Sequence, residues 1–421
     1  MSAPKIRAPR GTFDVLGEDA SRRTAVEQRA RALLEGAGYE RIETPAFEAT
    51  ELFARGVGAS TDIVQKEMYN LTDGSGRSLT LRPEGTAPIC RAYLEHGMHK
   101  RAKPVKLWYL SSFFRYERSQ AGRYRQFWQV GAEAIGSEDP ALDAESIVLA
   151  RTLLEELGAG DVRLRLSSLG TPAAREHYRA LLAQYLHSNE DSLSPEVSAR
   201  IDLNPLRAFD SEHEGTRRVM QAAPHLIDHL DAADREHFAQ VRELLDIAGV
   251  SYEIDPTLVR GLDYYTRTVF EFTSQRLGAQ SGIGGGGRYD GLLEQIGGPP
   301  TPGIGWAAGV ERILLAADQP SAAPPTVELF IALADGDAER LRASAFAVLC
   351  EARSAGLAAQ MELAGRSLSR QLSQANKLGA RYVAIINGEE TALKDMQSGE
   401  QQTLGAEKVV HNVLRGLREI V

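Results

Sequence analysis

Two segments near the first third of the chain combine side chains that could bind a phosphate and a cation. "FFRYE" carries Arg115 and Glu117, and "WQVGAE" carries Gln129 and Glu133 on what would be one face of a strand. A fixed arginine suits a phosphate because its guanidinium donates two parallel hydrogen bonds. Glutamine and glutamate could instead bind an ammonium group or a ring nitrogen. A strand pair with a solvated outer face is the alternative on these residues alone.

The segment that contains these residues is basic, although the protein as a whole is acidic. Residues 100–125 have a local net charge of +7, whereas the chain has a net charge of −9. The overall charge argues against a protein that coats nucleic acid non-specifically. Interleaved aromatic residues favour a ligand groove over a merely solvated face. The cations are Lys100, Arg101, Lys103, Lys106, Arg115, Arg118, Arg123 and Arg125.

The stretch "LVRGLDYYTRTVFEF", residues 258–272, has strand-forming residues but also carries charge and phenol groups. Burying Arg260 beside Arg115 would be costly unless an anion lay between them. Two arginines that face one site therefore predict a phosphate. A structural arginine, satisfied by the fold itself, is the alternative for this stretch taken alone.

A third polar group, in "TLRPEGT", comes where a strand is predicted to give way to a helix. Glu84 and Thr86, separated by Gly85, could hold an amine there. A simple helix N-cap at Thr86 is the better interpretation in isolation.

Two glycine-containing motifs follow later in the chain. "GIGGGGRYDGL" contains a Gly-x-Gly-x-x-Gly match, which is weak evidence alone. Its surroundings look antiparallel, so a dinucleotide-binding fold is disfavoured. "PGIGWAAGVERILL" predicts a strand followed by a helix that bears Glu311 and Arg312, and Arg312 could be a surface residue or could contact a nucleotide.

Length and composition narrow the class of protein. The chain has 421 residues, 43% hydrophobic and 25% charged, which predicts two or three globular domains. The sequence has no apolar run long enough for a membrane span and no signal-peptide pattern at its start. Cys90 and Cys350 lie far apart, which suggests neither a disulfide framework nor a zinc site. We expect a reducing, cytoplasmic location and no membrane partner.

The elements needed to position these motifs can be predicted from periodicity. Helices are predicted over 18–37 and 141–158, a strand pair between 105 and 135, and a strand at 161–170. The helix-forming composition of residues 172–248 indicates an inserted helical subdomain. Strands are predicted again from residue 251, and the glycine run after them predicts a turn. The proline-rich stretch "DQPSAAPPTVE", residues 318–328, predicts a linker. The βαβαβ pattern that follows it is typical of a small α/β domain.

The order of these motifs resembles the class II aminoacyl-tRNA synthetases, and specifically the histidyl-tRNA synthetase family. "FRYERSQAGRYRQFWQVGAE" is similar to motif 2 and "PGIGWAAGVERILL" to motif 3. "LVRGLDYYTRTVFE" and "GGGGRYDGL" resemble the two histidine-specific signatures, and "RGTFD" and "TLRPEGT" also match. The resemblance covers essentially the whole chain.

The resemblance implies an α+β catalytic domain, built on a six-stranded antiparallel sheet flanked by helices, and a homodimer. Its expected parts are a catalytic domain in two pieces (1–170, with motifs 1 and 2, and 249–320), a helical insertion (171–248), a linker (321–328) and a small α/β anticodon-binding domain (329–421). The implied reaction is formation of histidyl-adenylate from L-histidine and ATP, then transfer of histidine to the 3′ end of tRNA(His).

The resemblance also implies a role for each matching side chain. Arg260 and Arg115 are the expected catalytic residues. Arg118 and Arg123 would contact the tRNA acceptor end. The expected ATP contacts are Arg115, Glu117, Arg125 and Arg312. The expected histidine contacts are Glu84, Gly85, Thr86, Arg115, Gln129, Glu133, Arg260, Tyr264 and Tyr265.

ATP would enter with Mg²⁺, whose carboxylate ligands the motifs do not identify; no other metal site is predicted. Ser119 stands where proline is common in motif 2, and this difference is expected to change only the stiffness of the loop. Trp128 stands where histidine is usual before Gln129, and this difference concerns details of the pocket rather than the reaction. The main alternative is a synthetase-like regulatory subunit of ATP phosphoribosyltransferase, which typically lacks the anticodon domain. Retention of Arg115, Arg260 and Arg312 disfavours it, and equally disfavours a pure RNA-binding module.

Overall fold

The computed structural model divides the chain into two compact units, residues 1–322 and 323–421. The structure describes residues 5–58, 61–118, 120, 122–258, 261–317, 327–335, 338–388 and 390–418. Arg260, Ser119 and most of the predicted linker therefore lie outside the described residues. Of the described helices, none is both long enough and apolar enough to cross a bilayer.

The first unit is built on a mixed sheet whose order is β1-β5-β6-β11-β10-β9-β7-β8. The six central strands, in the order β5-β6-β11-β10-β9-β7, pair antiparallel with one another, as expected for the family. The two-residue strands β1 and β8 pair parallel with β5 and β7 at the two edges of the sheet. The sheet strands are β1 (Glu40–Arg41), β5 (Val105–Phe114), β6 (Gln126–Ile135), β7 (Arg163–Ser168), β8 (Glu253–Ile254), β9 (Thr266–Thr273), β10 (Gly282–Arg288) and β11 (Gly303–Gly309). A separate small sheet has the order β2-β4-β3, formed by β2 (Phe47–Ala49), β3 (Tyr69–Thr72) and β4 (Ser78–Leu81).

Helices cover both faces of the large sheet. Successive side chains of β5 point to opposite faces of the sheet. Trp108 packs in the core covered by α1, α4, α10 and the later helix Ala232–Ile247, whereas Tyr109 packs in the core on the other face, covered by α3. The helices outside the insertion are α1 (Gly17–Gly36), α2 (Thr50–Gly56), α3 (Thr86–Glu95), α4 (Pro140–Glu156), α9 (Leu292–Gln295) and α10 (Val310–Ala316).

The segment between β7 and β8, for which the sequence predicts a helical insertion, is helical in the described residues. It has its own core, in which Tyr178, Leu182 and Leu186 of its first helix pack against Ile201 and Met220. Side-chain caps at Thr171 and Asp231 fix the starts of its two longest helices. The insertion helices are α5 (Pro172–His187), α6 (Pro195–Ser198), α7 (Glu214–Met220) and α8 (Ala232–Ile247).

The second unit is a small α/β sheet of order β13-β12-β14-β15-β16. Strands β13, β12 and β14 are parallel, as the βαβαβ pattern predicts, while β15 and β16 extend the sheet antiparallel. The strands are β12 (Leu329–Leu333), β13 (Ala359–Met361), β14 (Tyr382–Asn387), β15 (Glu390–Asp395) and β16 (Gln401–Leu404), and the helices are α11 (Ala338–Ser354), α12 (Leu368–Lys377) and α13 (Val409–Arg418).

Three local expectations were wrong. The glycine run at 282–288 is not a turn but strand β10, in which a Cβ at Gly286 would lie 2.0 Å from the carbonyl oxygen of Gly305. Residues 261–265 are not part of the predicted strand, because β9 begins only at Thr266. Arg115 and Glu117 do not share a strand face, since β5 ends at Phe114.

Candidate active site

Two adjoining pockets open beside the large sheet, and they share Arg115, Gln129, Leu262 and Ala307. The small pocket, of about 70 Å³, is lined by Glu84, Gly85, Thr86, Tyr109, Tyr264, Tyr265 and Tyr289 in addition to the shared residues. The large pocket, of about 350 Å³, is lined by Glu117, Gly122, Arg123, Gly261, Glu271, Gly282, Glu311 and Arg312, among others. The predicted polar residues are therefore divided between two connected cavities.

Glu84 anchors the small pocket at the start of α3. Its carboxylate accepts the backbone N–H groups of Thr86 and Ala87, at 2.8 and 3.0 Å, and the Tyr264 hydroxyl at 3.3 Å. Glu84 thus satisfies the free N–H groups of the helix. Thr86 is not the N-cap, because its hydroxyl instead donates to Glu133 at 2.8 Å.

Glu133 lies behind Thr86 and is 1% exposed. Burial raises its pKa from the ordinary value of 4.5 to about 8; the Tyr289 and Thr86 hydroxyls moderate this shift, and the Glu84 carboxylate adds to it. Among the described residues, its Oε2 and the Tyr289 hydroxyl are nevertheless buried without a hydrogen bond in good geometry. The burial of two carboxylates here suits a cationic ligand.

The Glu133 carboxylate occupies the space that a side chain at Gly305 would fill. A Cβ at Gly305 on β11 would lie 1.7 Å from Oε2 of Glu133, and one at Gly85 would lie 2.7 Å from the Tyr109 ring. Any side chain at Gly305 would thus displace the carboxylate. Glycine is required at this position by contact rather than by backbone conformation.

Aromatic rings form the rest of the small pocket. The Tyr264 and Tyr265 rings lie 4.8 Å apart, and Tyr264 meets Tyr289 edge to face at 6.0 Å. Burial raises the pKa of the Tyr264 hydroxyl well above its ordinary value. The neutral phenol can therefore act as a hydrogen-bond donor, and the pocket combines flat apolar walls with a few fixed polar atoms.

Arginine side chains held by main-chain carbonyls border the large pocket. Arg312 donates to the carbonyl oxygens of Gly122, at 3.0 Å, and Gly282, while Arg115 donates to that of Pro83 at 2.9 Å. Burial lowers the pKa of Arg312, and the neighbouring Arg123 lowers it further. An anion in this pocket would offset both effects.

The other predicted loop residues are placed less centrally. Arg123 lines the large pocket and forms an ion pair with Glu117 at 3.4 Å. Of the described loop residues, Arg118 is exposed and lines neither pocket. Arg125 also lines neither; its guanidinium lies 4.0 Å from the centre of the Tyr116 ring. Arg260 is outside the described residues, although Gly261 beside it lines the large pocket.

Trp128, which departs from the usual family residue, does not line either pocket. The backbone N–H of Trp128 donates to the Glu311 carboxylate at 3.1 Å, and the indole ring faces the Arg23 guanidinium at 5.7 Å. Arg23 also forms an ion pair with Glu311 at 2.5 Å. The departure therefore affects the packing of motif 3 against α1 rather than the pocket wall.

Sequence reasoning missed Tyr109, Tyr289 and Glu271 as lining residues. Tyr109 and Glu271 alternate along β5 and β9 with residues that were recognised as strand formers, but alternation does not tell which face carries the site. Tyr289 lay inside a recognised signature, "GGGGRYDGL", and could have been identified from it.

Comparisons with known proteins identify the family. The family described as histidyl-tRNA synthetase matches residues 11–313. The histidine–tRNA ligase of Halothermothrix orenii is 44% identical, with 99% of this chain and 100% of the relative covered. That of Desulforamulus reducens is 47% identical, with 96% and 97% covered.

A solved structure leads to the same family. The apo histidyl-tRNA synthetase of S. aureus aligns with a TM-score of 0.80 at 33% identity, over 97% of this chain and all of that chain. The recognition from sequence motifs is thus confirmed, and the regulatory-subunit alternative is not favoured. The chain belongs to the histidyl-tRNA synthetase family, the aminoacyl-tRNA ligases for histidine.

Proposed function

We propose that the small pocket binds L-histidine, that the large pocket binds ATP, and that Arg115, which lines both, acts where they meet. The observation that carries this proposal is the distribution of charged groups. At the small pocket, Glu84 lines the wall and buried Glu133 lies behind Thr86, whereas three arginines line the large pocket, together with partly exposed carboxylates. A histidine with its cationic ammonium group fits the first, and a polyphosphate fits the second.

In the first step, the histidine carboxylate attacks the α-phosphorus of ATP and pyrophosphate leaves with the bonding electrons. Negative charge grows on the phosphoryl oxygens, and arginines already held by carbonyl groups can stabilise it without reorganising. Arg115 is the described residue assigned to this role, with Arg260 opposite it by family resemblance. Arg312 and Glu117 would hold the nucleotide, and Arg125 remains an assignment from sequence.

On the histidine side, Glu84 and Thr86 would place the ammonium group beside Gly85, while Gln129 and Glu133 would hold the amino acid deeper in the pocket. Tyr264 and Tyr265 would enclose the imidazole. Glu133 shares a hydrogen bond with Thr86, so these contacts form one connected set. Such a set favours histidine over amino acids that leave its buried polar atoms unpaired.

In the second step, the 3′-terminal ribose hydroxyl of tRNA(His) attacks the histidyl carbonyl carbon and AMP leaves. Arg123 and the exposed Arg118, on the loop between β5 and β6, would contact the acceptor end. The unit that follows residue 322 would bind the anticodon. We propose that residues 1–170 and 249–320 form the catalytic domain, 171–248 the insertion, 321–328 the linker and 329–421 the anticodon-binding domain.

Mg²⁺ would accompany ATP. It prefers one or two carboxylates together with phosphate oxygens and water, and the large pocket offers Glu117 and Glu271. The donor set fits, even though the described residues contain no cluster of three metal-ligating side chains. When bound, the ion would neutralise charge on the phosphates.

We also propose a homodimer in the cytoplasm, the compartment that supplies tRNA and ATP. The small sheet presents apolar side chains to solvent, with Phe47 51% and Leu71 40% exposed. Exposed apolar side chains on one small sheet suit an interface with a second copy.

Histidine-dependent exchange between ATP and labelled pyrophosphate tests the activation step. We expect exchange with histidine and none above background with other amino acids, followed by acylation of tRNA(His). A lack of exchange with histidine, or equal exchange with other amino acids, would overturn the proposal. Exchange without acylation would limit it to the first step.

A further inference from the structure

The residues that carry the two pocket tyrosines, 261–265, are not part of the sheet. We call these residues the tyrosine loop. The helical insertion contacts its main chain directly, because the guanidinium of Arg175 on α5 donates to the carbonyl oxygens of Asp263, at 3.3 Å, and of Tyr265. These two carbonyls lie on either side of Tyr264. A single side chain of the insertion thus fixes the backbone on both sides of a pocket residue.

A second contact from the insertion reaches the end of the tyrosine loop. Asp234 on α8 is 1% exposed and accepts from Nε of Arg267 at 2.9 Å and from the N–H of Thr171 at 2.7 Å. Main-chain bonds also join Arg267 to Leu169 and Gly170, at 2.7 and 2.8 Å. The start of β9 and the entry to α5 are therefore held together by one buried carboxylate.

The backbone at this junction is strained. Arg267 has a φ of 45°, in the left-handed region that residues other than glycine rarely adopt. Such a conformation persists only where surrounding contacts over-determine it. Burial also lowers the pKa of Arg175, so its charge is costly without the two carbonyl acceptors. Both features indicate that the insertion holds the loop in place.

We propose that the helical insertion sets the position of Tyr264 and Tyr265 in the histidine pocket through Arg175 and Asp234, which act as positioning residues. This inference rests on the proposed function, in which the two tyrosines enclose histidine. It gives the insertion a part in amino-acid binding although neither residue lines the small pocket. A shift of the loop at 263–265 would move the Tyr264 hydroxyl away from Glu84, at 3.3 Å. The side chains proposed to hold ATP, Arg312 and Glu117, lie on other segments, although Gly261 and Leu262 of the loop border the large pocket.

Arg175→Met tests this inference in the full-length protein by pyrophosphate exchange. We expect the KM for histidine to rise about tenfold and the KM for ATP to change less than about twofold. Arg175→Lys keeps the charge and a donor, so it should recover part of the histidine affinity. Arg179→Met is the matched control, because Arg179 lies one turn further along α5 and donates to Leu203 within the insertion.

Asp234→Asn provides a second variant if Arg175→Met does not fold. It keeps the size of the side chain but removes the charge that pairs with Arg267, so a smaller rise in the KM for histidine alone is expected. Equal rises in both KM values, a fall in kcat alone, or a control as impaired as Arg175→Met would overturn this inference while leaving the proposed function intact. Absence of exchange in the wild-type protein would overturn the proposed function itself.

Discussion

The two pockets hold their charged groups in different ways. At the small pocket, Glu84 lines the wall and Glu133 lies behind Thr86 without lining either pocket. Both carboxylates are at most 4% exposed, and their partners are hydroxyl groups and helix N–H groups. In the large pocket, Arg312 and Arg115 are held by carbonyl oxygens, and Arg123 is 42% exposed. The first arrangement leaves buried acids that favour their neutral form, whereas the second presents permanent cations at a more open wall.

This difference fits the division of labour that we propose. A polyphosphate carries enough charge to be held by exposed cations, and it must enter and leave as ATP and pyrophosphate. A single amino acid has to be distinguished from others, which requires buried groups that are penalised when they lack the correct partner. Arg115 lines both pockets, so a substitution there gives the strongest test of the proposed division between a histidine pocket and an ATP pocket.

The largest effect is expected for Arg115→Ala. Removing a fixed donor beside the developing phosphoryl charge should lower histidine-dependent exchange by about 10²–10³-fold. The same loss is predicted from the sequence for Arg260→Ala. Lys100→Ala, from the same basic segment but exposed, is the control and should retain activity. A loss below fivefold for Arg115→Ala would mean that the pockets do not meet at this residue.

An intermediate effect is expected from the pH dependence of stability. The pKa of Glu133 is about 8 in the folded protein and 4.5 ordinarily, so the folded state binds the extra proton between these values. The free energy of unfolding should therefore fall as pH rises through this window, by on the order of 3–5 kcal/mol from this group.

Glu133→Gln should remove most of that slope. Thermal unfolding at pH 5.5 and pH 8.5, without ligand, measures it, and Glu243→Gln on the exposed face of α8 is the control. Parallel pH profiles for the wild type and Glu133→Gln would show that the carboxylate is not held neutral. Histidine should stabilise the wild type more strongly than the variant, because a cationic ligand in the small pocket favours the ionised form of the Glu133 carboxylate.

The smallest effect is expected for Trp128→His, which restores the residue usual in the family. Since Trp128 lines neither pocket, both KM values should stay within about threefold of the wild type. The melting temperature should fall slightly, because the ring packs against the main core and the Arg23 guanidinium. A tenfold change in the KM for histidine alone would contradict the placement of this side chain outside the pocket.

Part of the site could be predicted from the sequence because it is local. Arg115, Gln129 and Glu133 lie on or next to two strands joined by a short loop, and β5 and β6 pair as the pattern predicts. Arg312 likewise follows a strand and begins a helix, as expected. These residues lie close together because they are close in sequence, so the motifs alone could predict that they are neighbours.

Other features depended on partners distant in the sequence. Glycine has no side chain to indicate a strand, so β10 could be recognised only once β9 and β11 lay on either side of it. The tyrosine loop has strand-forming residues, but no neighbouring strand pairs with it, and helix α5 from the insertion holds it instead. Propensity could not reveal either outcome.

The sequence by itself determined the family, the antiparallel strand pair, the helical character of the segment after β7 and part of the lining of the two pockets, because these follow from local patterns and ordered motifs. Only the tertiary structure decided that Tyr109 lines the small pocket, that Gly305 leaves space for the Glu133 carboxylate, and that Arg175 supports the tyrosine loop. Each of these depends on contacts between segments far apart in the chain, whose geometry exists only after the sheet and the insertion have packed together.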